Sequence, residues 1–154
     1  MCTKVSFWHH GFFPKPKIAK KNIEVYKVLD LIVTPKDEKF PITYETPYMR
    51  ETINFINGQA TQNSVHDIYC DKDHNIIGVC ACKTYARALE QKIALYRFVH
   101  SPIPNFICHC IIPKGTKYFI GKNNVIVSEK LILFLSVRNF QEYKEVVNYP
   151  SVND

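Results

Sequence analysis

Residues 106–137 read FICHCIIPKGTKYFIGKNNVIVSEKLILFLSV, and this stretch decides the fold class. Its apolar runs, Phe106–Ile112, Thr116–Ile120, Val125–Val127 and Leu131–Val137, are rich in Ile, Val, Phe and Tyr. Short β-branched and aromatic runs bounded by Gly, Pro and Asn read as strands. Pro113-Lys114-Gly115 is a turn, and Gly121-Lys122-Asn123-Asn124 is a hairpin-type turn from which Val125–Val127 pairs back.

Upstream, residues 23–33, IEVYKVLDLIV, alternate Ile23, Val25, Lys27 and Leu29 with Glu24, Tyr26, Val28 and Asp30, a further strand. Residues 40–49, FPITYETPYM, are extended but interrupted by Pro41 and Pro47, which suits an irregular or edge segment. Residues 50–58, RETINFING, fit a short strand or a helical turn closed by Asn57-Gly58. Residues 59–75 read as a polar loop around Val65–Cys70, and residues 76–82, IIGVCAC, as a short apolar strand. Thr84 stands where a helix N-cap belongs. Tyr85, Ala88, Leu89, Lys92, Leu95, Tyr96 and Val99 then recur at helical spacing, predicting a helix over about 85–99 that stops before Pro102.

The pattern is α+β: a mainly antiparallel sheet with one principal helix. The expected organisation is an extended aromatic and basic arm over 1–22, a single α+β domain over 23–138 and a C-terminal tail over 139–154. The arm carries Trp8, Phe12 and Phe13, which dock on the body or on a second copy, giving a homo-oligomer. The tail begins as a helical turn around Phe140, Tyr143 and Val147.

A chain of 154 residues, 46% hydrophobic and 22% charged, needs neither disulfide nor metal to fold. Five glycines and no GxGxxG or GxxxxGK[ST] pattern leave no Gly-rich phosphate loop. No apolar run approaches the length of about 20 residues that spans a bilayer. The N-terminus lacks the apolar segment of a secretory signal. These features predict a cytoplasmic protein without a membrane partner, whose six cysteines are free thiols. The net charge is +6, with Lys4, Lys15, Lys17, Lys20 and Lys21 biasing the first segment; a basic balance of this size marks a nucleic-acid partner or, more often, only a soluble surface.

Two CxC pairs, Cys80/Cys82 and Cys108/Cys110, could present four thiols together if their strands were neighbours. A CxC inside an apolar strand is the wrong geometry for a zinc knuckle. The expectation is therefore packing, with no metal and no cofactor. No local signature marks a cysteine nucleophile, and Asp71/Asp73 are too few oxygen ligands for calcium. The remaining polar and aromatic cluster is TYETPYMRE. Tyr44, Tyr48 and Arg50, with the helix start at Thr84, are the candidate ligand-binding residues. Arg50 would grip a phosphate or carboxylate, unless it serves an ordinary surface salt bridge.

Taken in order, Tyr26-Lys27-Val28-Leu29, Thr46-Pro47-Tyr48, Gly78, Lys83-Thr84, CIIPKGTKYF over 110–119 and Ser128-Glu129-Lys130-Leu131 carry a resemblance. The chain resembles small uncharacterised proteins of Bacteroidetes bacteria and their phages. It departs from that pattern at Cys80 and Cys82, where those proteins have His and Phe. The family carries no established activity. The strand and turn of IIPKGTKYF are also similar to those of ADP-ribosyltransferase-like domains. That alignment puts His109 at the position of the catalytic carboxylate, and an imidazole cannot supply a fixed negative charge there. An ordinary core, an aromatic N-terminal arm and the lack of a catalytic set point first to a non-enzymatic binding protein acting on a host protein or a small nucleotide ligand. The resemblance implies that it is phage-encoded. The alternatives are a nucleotide- or NAD-using enzyme of ADP-ribosyltransferase-like fold and a weak nucleic-acid binder acting through the basic arm.

Overall fold

The structure is a computed structural model, which describes residues 3–4, 15–33, 42–47, 49–98 and 104–146. Among the described residues the chain begins with β1 (Thr3–Lys4), β2 (Lys17–Ile18), β3 (Ile23–Val33), β4 (Ile42–Glu45) and β5 (Thr52–Ile53). It continues through β6 (Gln59–Asn63), β7 (Tyr69–Cys70), β8 (Asn75–Ile77), β9 (Val79–Cys82) and α1 (Tyr85–Phe98). The last elements are β10 (Asn105–Ile112), β11 (Lys117–Ile120), β12 (Val125–Ser128), β13 (Lys130–Phe134) and α2 (Val137–Val146). The class is α+β, as the alternating runs predict. No described helix is long and apolar enough to cross a membrane.

The larger sheet runs β2-β11-β12-β9-β3-β10-β13-β6, with β4 on β3 and β5 on β4; β1, β8 and β7 form a small second sheet. β3 is its axis. One edge of β3 pairs with β10 along the whole of that strand. The other edge meets β9 only at Tyr26↔Cys82, then takes β4 from Asp30 to Val33. The sheet therefore forks between Tyr26 and Asp30. Both faces of β3 are covered, so both of its alternating sets of positions carry apolar residues. One face contributes Val25 and Leu29 to a core with Ala60, Ala81, Leu131 and Leu133. On the other, α1 seats Ala88 and Leu95 against Val28 and Cys82. α2 seats Phe140 on Ile111, Ile132 and Phe134.

The predicted helix is α1, capped by Thr84: its Oγ1 accepts the Arg87 N–H at 3.2 Å. The tail holds a second helix, which extends the expectation of one. The strand predicted to reach Val137 ends at Phe134 because Ser136 caps α2, its Oγ accepting the Asn139 N–H at 3.1 Å. The expected strand over 76–82 is divided at Gly78, where a Cβ would lie 2.5 Å from Ile68 Cγ2 and 2.8 Å from Val127 Cγ1. Residues 59–63, expected in a loop, are β6; an edge strand needs only one buried face, and its burial alternates through Ala60 and Gln62. Asn57-Gly58 closes a two-residue hairpin, Ile56 and Gln59 exchanging backbone bonds of 2.9 and 3.2 Å. Both turn residues have positive φ, 54° and 78°, the signature of a type I′ turn. β1 and β2 stitch parts of the predicted arm into the two sheets. Its aromatics Trp8, Phe12 and Phe13, and the tail beyond Val146, lie outside the described residues.

Candidate functional site

The residues singled out from the sequence do not form one site among the described residues. Tyr48 lies outside them. Tyr44, on β4, is half-buried, with its ring edge-on to Phe55 at 5.1 Å and Phe106 at 5.8 Å. Arg50 occupies the β4–β5 turn at φ 55° and reaches back to Asp30 at 3.6 Å and Glu45 at 3.7 Å. Burial pushes the Asp30 carboxyl up, and the guanidinium opposes that shift. Arg50 thus clamps its own turn. The Thr84 hydroxyl is spent on the α1 cap.

The two CxC pairs face opposite sides of the sheet. Cys82 pairs with Tyr26 and Cys108 with Lys27, neighbours on β3 whose side chains point to opposite faces. β9 and β10 flank β3 instead of adjoining each other. Among the described residues no group of three or more His, Cys, Asp or Glu is placed to hold a metal ion. Burial pushes the Cys82 thiol up to about 11 and that of Cys110 well above its usual range, so neither supplies a thiolate near neutrality. Cys70, Cys82, Cys108 and Cys110 are free, but Cys80 is disulfide-bonded, which corrects the expectation of six free thiols. Its side chain packs toward the small sheet, beside Ile68 and Ile76 and away from Cys108 and Cys110.

His109 is packing material as well. Its ring stands 5.3 Å from Tyr26 and 5.1 Å from Phe140. Burial holds its pKa below the ordinary imidazole value, with Glu24 opposing that shift.

The fork is filled by Lys27. This side chain points into the core face between Val25 and Leu29, and its Nζ donates to the Cys80 carbonyl at 2.5 Å. The ammonium bridges β3 and β9 just where the two strands part. It makes no ion pair with a described carboxylate, and burial pushes its pKa down.

The least expected feature is the outer edge of β6. Its ladder with β13 is bracketed by Leu135 N–H donating to Gly58 O at 2.9 Å and Ser64 N–H donating to Glu129 O at 2.8 Å. In an antiparallel ladder the bonding direction alternates along the strand. Ala60 and Gln62 therefore spend their backbone groups on β13, while Gln59, Thr61 and Asn63 aim theirs outward. Ile56 satisfies Gln59. The N–H and C=O of Thr61 and Asn63 have no partner among the described residues. β5 approaches β6 without pairing to it, and the two are joined by a side-chain bond, Gln62 Nε2 donating to Glu51 Oε2 at 2.7 Å.

Beside this edge lies an open groove of about 540 Å³ lined by Asn54, Ile56, Asn57, Gln59, Ala60 and Thr61. The lining has no charged side chain, and Ile56 is 74% exposed. Gly58 fixes the groove to the body: a Cβ there would fall 2.3 Å from the Asn139 side chain of α2.

Edge strands are commonly protected from foreign pairing by charge, lysine above all. β2, at the far end of the sheet, fits that rule through Lys15, Lys17, Lys20 and Lys21, all exposed. β6, QATQN, carries no charge at all. No family model, no curated protein and no solved structure matches this chain.

Proposed function

We propose that this chain is a non-enzymatic interaction protein that receives an extended segment of a partner polypeptide along β6. One observation carries the reading: of the two ends of the large sheet, β6 is the uncharged one, and among the described residues its outward backbone donors and acceptors, at Thr61 and Asn63, lie next to a groove. A peptide added there would bond through its main chain, and the uncharged amide and hydroxyl side chains of the groove would select neutral polar residues beside an apolar one against Ile56. The resemblance to bacterial and phage proteins makes a host protein the partner to seek.

A nucleotide-binding or transferase reading gains less from the geometry. Arg50 is held by two carboxylates, Thr84 caps a helix, and His109 is stacked between rings.

A peptide selected from a random displayed library on the intact protein supplies the test. Its affinity for Thr61→Pro, which removes one outward N–H and crowds the edge, is expected to fall at least about tenfold, the scale of one or two hydrogen bonds. Unchanged affinity in Thr61→Pro would reject strand addition at β6.

A further inference from the structure

We infer a second binding surface at the opposite end of the sheet, where six lysines form a site for the phosphate backbone of nucleic acid. The sequence shows four of them together, Lys15, Lys17, Lys20 and Lys21, and the fold adds two from more than 90 residues away. Lys117 stands opposite Ile18 in the β2–β11 ladder, so it joins the edge on the sheet face opposite to that of Lys17. The Lys114 N–H donates to Asn22 Oδ1 at 2.8 Å. Ala19 and the turn after β10 are bolted together by Gly115 N–H to Ala19 O at 2.8 Å and Ala19 N–H to Thr116 O at 3.0 Å. The six lysines therefore belong to one fastened edge, and all six are exposed.

The chain has 20 Lys and Arg against 14 Asp and Glu. Six of those cations lie on this edge. None of the six is in an ion pair with a described carboxylate; the paired cations are Arg50, Arg87, Arg138 and Lys144. The acid nearest in the ladder is Glu129, whose Oε1 accepts the Lys117 backbone N–H at 2.9 Å.

Lysine on an edge strand also guards against aggregation. β2, however, is two residues long, and Lys20, Lys21 and Lys114 lie outside it. Six unpaired cations exceed what so short an edge needs. They match instead a polyanion whose charges repeat along an extended backbone.

The test is fluorescence anisotropy of the full chain with a labelled 20-base-pair DNA duplex between 50 and 200 mM salt. Six phosphate contacts predict a slope of log K against log salt near −5, a loss of about a thousandfold across that range. The triple variant Lys20→Gln, Lys21→Gln, Lys114→Gln is expected to make the slope shallower by about three, roughly one per lysine. A control triple, Lys72→Gln, Lys83→Gln, Lys92→Gln, removes the same charge elsewhere and is expected to leave most of the slope. Equal effects of the two triples would overturn the assignment, as would no binding at 50 mM salt. Binding to anionic vesicles without binding to the duplex would overturn it too, because the surface would then be a membrane patch. The β6 edge enters none of these readouts.

Discussion

Replacing Gln62 with proline is expected to lower the melting temperature by about 10 °C, while replacing its neighbour Thr61 with proline changes it by no more than about 3 °C. Both sit inside the same five-residue strand, and a propensity argument would rank them alike. The ladder does not. Gln62 N–H faces β13, and its side chain ties β6 to Glu51 at 2.7 Å. Proline there removes a ladder bond and the β5–β6 tie together and leaves their partners unsatisfied, a loss of about 3 kcal/mol at about 1–3 kcal/mol for each. For a domain of this size about 1 kcal/mol moves the melting temperature by about 2–4 °C. Thr61 N–H points out of the sheet, so proline deletes no bond, and edge strands tolerate proline where the N–H faces solvent. Thermal unfolding followed by circular dichroism checks both. A collapse of Thr61→Pro equal to that of Gln62→Pro would mean that the outer edge is already paired.

Lys27→Met is expected to raise stability at pH 7 by about 1–2 kcal/mol, although most substitutions of a buried residue cost stability. Methionine keeps the length of the stem between Val25 and Leu29. It abolishes the burial of an ammonium, and exchanging a buried charge for apolar volume gains about 1–4 kcal/mol. Against that, the Cys80 carbonyl loses its donor, which costs about 1 kcal/mol or more. The pH dependence carries a separate signature. The folded-state pKa of Lys27 is pushed below the ordinary lysine value, chiefly by burial. Between the folded-state pKa and the ordinary lysine value the unfolded chain binds the extra proton, so stability rises with pH through that window. Below it, the cost of burying the ammonium applies in full. Lys27→Met should lack this rise. Denaturant titrations at several pH values measure both effects, and a loss above about 2 kcal/mol at pH 7 would show that the ammonium holds the fork together instead of burdening it.

Much of the fold was legible because it obeys simple periods. β3, β10, β11 and β12 announce themselves through β-branched and aromatic runs between Gly, Pro and Asn. α1 follows from Thr84 and the spacing of Ala88, Leu95 and their neighbours. The alternation also put Lys27 in register with Val25 and Leu29, whereas its burial depends on the fork in the sheet, which local sequence does not encode. β6 was hidden because its inward positions are Ala60 and Gln62, one small and one polar, so no hydrophobic alternation marks it. The opposed facing of the CxC pairs depends on pairing order, since only the placement of β3 between β9 and β10 separates them. Lys114 and Lys117 join the basic edge through contacts that local sequence does not encode. The candidate edge at β6 thus arises where the sequence signal is weakest, and Tyr44, Arg50 and Thr84, prominent by composition, are occupied with packing, a turn clamp and a helix cap.

Residue-resolved amide hydrogen exchange on the free protein, followed by NMR, tests the openness of β6 most directly. Amides bonded within a core ladder exchange slowly, and those facing solvent exchange quickly. The predicted result is slow exchange at Ala60 and Gln62 beside fast exchange at Thr61 and Asn63. Equal protection at all four positions would contradict an available edge and, with it, the interaction reading.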